Sequence, residues 1–244
     1  MQHLVSGANR RIWEDGGVQV ALALSPGVSA DECEAFTLVF DELDDAHLVG
    51  VGARLGHVDG PAGGHHVDAV FDDVQHPDVV LVPGGLGCAR TACDESLLAW
   101  LRLVAPRCTW MAASSTGTVV VAAAGLLDEQ EAATHWLASP LLESYGSPAS
   151  RERVVEVGNI ITCEGQITAM HVALLVALRM AGPEAVAQVR AGLVRRHAPA
   201  PAGRTPWWRR RGERNRRRRG PGRPRNPELA APDVIEFDPV TRLR

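Results

Sequence analysis

The chain has 244 residues, 45% of them apolar, which suits one α/β core with an extension and excludes two full domains. Its net charge of -4 hides an asymmetry: residues 1–203 hold 12 arginines against 24 acids, whereas the remainder holds 13 arginines against 5 acids, and there is no lysine. Five cysteines, an odd set without CxxC or metal-type spacing, exclude a disulfide framework and read as free thiols in a reducing compartment. Residues 1–17 lack a signal-type apolar core, and no segment offers about 18 uninterrupted apolar residues, so the expectation is a soluble cytoplasmic protein with no membrane partner.

Taken in order, residues 18–24 (VQVALAL) form an apolar run stopped by Ser25-Pro26-Gly27, the pattern of a buried strand and a turn. Residues 30–43 read as a helix and 47–51 as a second strand. Residues 78–82 (DVVLV) are a short apolar strand closed by Pro83-Gly84-Gly85, as strands inside a parallel sheet tend to be. Leu97, Leu98, Leu101 and Val104 recur at helical spacing over 94–104, and 108–112 returns to strand. Residues 117–124 predict a buried helix ending at Gly125. A hairpin follows, with arms at 153–156 and 159–162 turning at Val157-Gly158, and then helices at 167–180 and 183–193. Strands alternating with helices predict a mainly parallel sheet covered on both faces, with the working site beyond the carboxyl ends of the strands.

Three segments that follow strands carry the candidate chemistry: Glu32, Gly84-Gly85, and Ser115-Thr116-Gly117. A strand that turns sharply into a helix holds its corner side chain exposed, while the following N–H groups and the helix dipole favour negative charge. Ser115 fits that corner. His65 and His66, adjacent in a Gly-rich loop, have no third ligand at recognisable spacing, so no metal is assigned, and no cofactor.

Residues 109–136 (TWMAASSTGTVVVAAAGLLDEQEAATHW) resemble the nucleophile segment of the DJ-1/PfpI superfamily, especially isonitrile hydratases and the sensor domains of AraC-type regulators. The shared pattern is a nucleophile, Thr-Gly, Ala-Ala-Gly-Leu-Leu and Thr-His-Trp. Gly27 to Phe40, DVVLVPGG at 78–85, RVVEVGNIIT at 153–162 and HAPAP at 197–201 match in order. The likeness covers roughly 18–203 and implies a flavodoxin-like three-layer α/β sandwich, a homodimer and a small-molecule substrate or ligand. It puts Ser115 at the nucleophile position, which is cysteine in such enzymes. Glu32 stands at the acid that hydrogen-bonds the nucleophile, Gly85 and Thr116 at the backbone amides, and His135 near the pocket.

Two positions depart from the pattern. Serine needs a positioned base, whereas a thiol is readily ionised at such a corner. His135 and His171 are the candidates for that base, and His171 stands where isonitrile hydratases usually have an acid. Each histidine also has a purely structural reading, His171 as a satisfied core side chain. Two functions stay open: hydration of a small electrophile such as an isonitrile, or a catalytically inactive ligand-binding or regulatory module of the same fold. A complete regulator is not expected, because only 41 residues follow Gly203. Of these, 204–225 hold 11 arginines among Trp207, Trp208 and several helix breakers, a composition that predicts disorder. It suits contact with nucleic-acid phosphates or another acidic surface, or no specific role. Residues 1–17 and 204–244 are therefore read as extensions of a domain spanning 18–203.

Overall fold

The computed structural model describes residues 17–60 and 64–197. The expectations for the N-terminal extension, HAPAP and the Arg-rich tail lie almost wholly outside those residues. Among the described residues the main sheet has seven strands in the order β5-β2-β1-β6-β7-β9-β8. In chain order these are β1 (Val18–Ala23), β2 (Ala46–Gly52), β5 (Ala69–Val70), β6 (Val79–Val82), β7 (Trp110–Ser114), β8 (Val154–Val157) and β9 (Ile160–Cys163). All neighbours pair in parallel except β8, which returns antiparallel along β9.

Alternation along the central strands sorts side chains into two cores. Val20, Leu22, Leu81, Ala112 and Ile161 pack with helices α1 (Ala30–Phe40) and α6 (Gln166–His197). Ala21, Val80, Val82, Met111 and Ile160 pack with α3 (Glu95–Val104) and α4 (Gly117–Ala123). The result is the three-layer, mainly parallel sandwich that alternating strands and helices require. Asp94 caps α3 by accepting from the Ser96 and Leu97 N–H groups, and Gly125, at φ 74°, ends the turn after α4 as a glycine does.

Several boundaries differ from the sequence reading. The first helix stops at Phe40 rather than Leu43, with Asp41 as its C-cap. β7 starts later than expected and runs on through Ala113 to Ser114, because its partners β6 and β9 extend that far. The hairpin turns at Gly158-Asn159, with Val157 paired to Ile160 and Gly158 at φ 60°. His65 and His66 lie in a strand rather than a loop: β4 (His65–Val67) pairs antiparallel with β3 (Gly56–Val58) as a small second sheet. Two short helices escaped the sequence reading, α2 (Cys88–Thr91) and α5 (Ser139–Ser144), each too brief for periodicity to register.

The two C-terminal helices expected from the sequence run on as α6, interrupted at Gly182, whose φ of 83° and ψ of 176° precede Pro183. By length and composition 166–195 is long and apolar enough to cross a membrane, a feature hidden by scanning only for uninterrupted apolar runs. Its buried residues Ala169, Val172, Ala173, Val176 and Ala177 nevertheless pack into the core it shares with α1.

Candidate active site

The carboxyl ends of β1, β6 and β7 lie side by side at the centre of the sheet, so the loops leaving them share one edge. From β7 the chain turns at Ser115, which has φ 54° although it is not glycine. A serine in the left-handed region costs on the order of 1 kcal/mol or more and persists where the surroundings over-determine it. Here the Ser115 N–H donates to the Cys163 carbonyl at 2.8 Å, and its own carbonyl accepts from Thr134 Oγ1 at 2.8 Å. The corner is thus pinned from β9 on one side and from the 132–135 segment on the other.

That segment is itself tied down. Thr118 Oγ1 donates to the Ala133 carbonyl at 2.8 Å, and the Ala133 N–H donates to Thr162 Oγ1 at 2.9 Å. Both threonines are buried, so each hydroxyl satisfies a group that water cannot reach.

Glu32 reaches the corner from the first turn of α1, which is set by Ser29: the Ser29 hydroxyl accepts from the Glu32 N–H and caps the helix. Glu32 is 9% exposed. Ser114 Oγ donates to Glu32 Oε2 at 2.5 Å, and the Ser115 side chain also acts on this carboxylate, lowering its pKa. Burial raises the Glu32 pKa, and the two hydroxyls and the nearby charge of His135 pull it back down. Among the expected site residues, Ser115, Glu32 and His135 therefore come together.

The others fall differently. The Gly85 N–H, expected to face the reacting group, donates to Thr116 Oγ1 at 2.8 Å, and the same hydroxyl donates back to the Gly85 carbonyl at 3.0 Å. Gly85 thereby fixes the position of Thr116 instead of offering a free donor. Gly84 is required by close approach: a Cβ there would stand 2.8 Å from the Thr116 nitrogen and 2.9 Å from Ser115 Cβ. His171 is exposed on α6, not a core side chain, and the charges acting on Glu32 are those of His135 and Asp31. His135 accepts the Leu137 N–H on Nδ1 at 3.3 Å, so its neutral ring carries hydrogen on Nε2.

Ser114 is the site residue that sequence reasoning missed. With the strand ended at 112, Ser114 lay outside it; on the strand, 110, 112 and 114 share the face toward α1. Burial pushes the thiols flanking Glu32 up: Cys33 and Cys163 both rise to about 12, with the Glu32 charge adding to the effect. Both stay protonated at neutral pH and supply no alternative nucleophile.

A family model described as DJ-1/PfpI family matches residues 18–178. The chain is 35% identical over 131 residues to an isonitrile hydratase of Pseudomonas putida, covering 54% of this chain and 57% of that protein. It is 30% identical over 124 residues to the HTH-type transcriptional regulator CdhR of Pseudomonas aeruginosa, covering 50% of this chain and 37% of the regulator. It thus spans less than two thirds of the length of either relative. A ThiJ/PfpI family protein from Pseudomonas syringae superposes with a TM-score of 0.69 at 23% identity, over 87% of this chain and 91% of that one, a likeness of fold.

Proposed function

The chain belongs to the DJ-1/PfpI family, and we propose that it hydrates a small isonitrile, R–N≡C, to the N-substituted formamide with Ser115 as nucleophile. The observation that carries this reading is the Ser115 hydroxyl held on a strained corner against the buried Glu32 carboxylate. The 35% identity to an isonitrile hydratase suggests the substrate class.

In the first step Ser115 Oγ bonds to the terminal isonitrile carbon and its proton passes to Glu32. Glu32 then returns that proton to the same carbon, leaving a formimidate, R–N=CH–O–Ser115. Water adds to this carbon as the nitrogen takes up a proton. Cleavage of the carbon–Oγ bond then releases R–NH–CHO and regenerates the serine. The Thr116 N–H, next in the chain after the nucleophile and held by the Gly85 contacts, suits negative charge on the oxygen added by water. Neutral, His135 accepts the Leu137 N–H on Nδ1; protonated, its positive charge lowers the Glu32 pKa and favours the carboxylate that polarises Ser115.

That same use of Nδ1 favours a second reading, a ligand-binding module of this fold without turnover, because the imidazole is not placed as a serine-protease base would be. Formamide production by the full chain separates the two. Wild type turning over, with loss of 10²-fold or more in Ser115→Ala, on the order expected for removing a nucleophile, supports the hydratase. Turnover confined to Ser115→Cys supports the binding module.

A further inference from the structure

Two hydroxyls from adjacent residues converge on one carboxylate, and only one of them has a part in the chemistry proposed above. Ser114 ends β7 with its side chain on the face shared with Ala112, toward α1, and is fully buried. Its Oγ–H donates to Glu32 Oε2 at 2.5 Å, and the side chain of Ser115, one residue on and around the corner, acts on the same carboxylate. A buried hydroxyl paired across the sheet with Cys163 would be costly without a partner. Glu32 supplies one, and the bond works in both directions.

A carboxylate that accepts can polarise the Ser115 O–H for attack. A protonated carboxyl would instead donate to Ser115 Oγ and withdraw its lone pair. We infer that Ser114 is a positioning residue that holds Glu32 as an ionised acceptor with one oxygen committed, leaving it to accept the Ser115 hydroxyl. This assignment rests on the reading of Ser115 as nucleophile.

The surroundings leave Ser114 the nearest control on that proton. Around Glu32 the titratable groups are Asp31 and Cys33 on its own helix, Cys163 on β9 and His135 on the segment beyond α4. Cys33 and Cys163 are buried and protonated. The other elements packed on α1 carry His47 on β2, and His171, Arg179, Glu184, Arg190 and Arg195 on α6, all exposed. Asp31 opposes ionisation and His135 favours it, while Ser114 makes the short direct bond.

The test replaces Ser114 in the full chain by Val and by Thr, which match in shape and differ by the hydroxyl. The Glu32 carboxyl band is followed by infrared difference spectroscopy across pH, with Glu32→Gln assigning it. Ser114→Val is expected to raise the Glu32 midpoint by about one pH unit, a tenfold change in the carboxyl-to-carboxylate ratio, and Ser114→Thr to restore it. The acid limb of any formamide-forming activity moves with it. An unmoved midpoint in Ser114→Val, or one shifted equally in Ser114→Thr, overturns the inference. Because the titration needs no substrate, a shifted midpoint in a chain that forms no formamide counts against the hydratase reading alone.

Discussion

Glu32 is the residue at which stability and function pull apart. Its folded pKa lies above the ordinary carboxylate value, so the native state binds its proton more tightly than the unfolded chain does. The sign follows: the group is harmless to stability below the ordinary value, and its cost grows as pH rises through the folded pKa. Glu32→Gln keeps the shape and an oxygen that can accept from Ser114, and it removes the buried charge. We predict that Glu32→Gln melts higher than wild type at pH 8, and that the gap closes as pH falls toward the ordinary carboxylate value of 4.5. Calorimetric melting temperatures across that range check it; a gap independent of pH contradicts the assignment.

At the scale of elements, the corner between β7 and α4 works because three other segments are built around it. The β9 carbonyl of Cys163, the Thr134 hydroxyl and the Gly84-Gly85 turn each contact Ser115 or Thr116. Gly84→Ala would force its Cβ to within 2.8 Å of the Thr116 nitrogen, and backbone cannot swing aside as a flexible side chain can. The expected outcome is destabilisation of about 1 to 3 kcal/mol in denaturant melts, with formamide production falling further than folded protein does. Equal losses in both would mean that the turn serves the fold alone.

Much of this arrangement was legible in the sequence, for physical reasons. The runs at 18–24 and 78–82 are too apolar to be anything but buried strands, and Ser115-Thr116-Gly117 marks a corner whatever its neighbours. Alternation also held the clue to Ser114, but only with the right strand end, and that end is set by pairing to β6 and β9 over long sequence separations. The fate of the Gly85 N–H was similarly hidden. Nothing in a Gly-Gly turn says that a threonine 31 residues away will take its hydrogen bond. Histidine placement was the least readable of all, since His171 lies on a strongly apolar helix yet faces outward.

In the molecule as a whole, two cores share one sheet, and the site stands where their layers meet. Glu32 comes from the helix of one layer, α4 belongs to the other, and Ser115 is the hinge between them. The claim that matters most is that this serine bonds to substrate carbon. It is tested most directly by a single-turnover experiment with enzyme in excess over a carbon-13-labelled isonitrile, followed by NMR. The prediction is an imidate resonance that rises first and decays as the formamide appears, and that is absent in Ser115→Ala together with most of the product. Formamide appearing in Ser115→Ala at the wild-type rate, with no intermediate in either protein, would contradict it and pass the role of activating water to Glu32 alone.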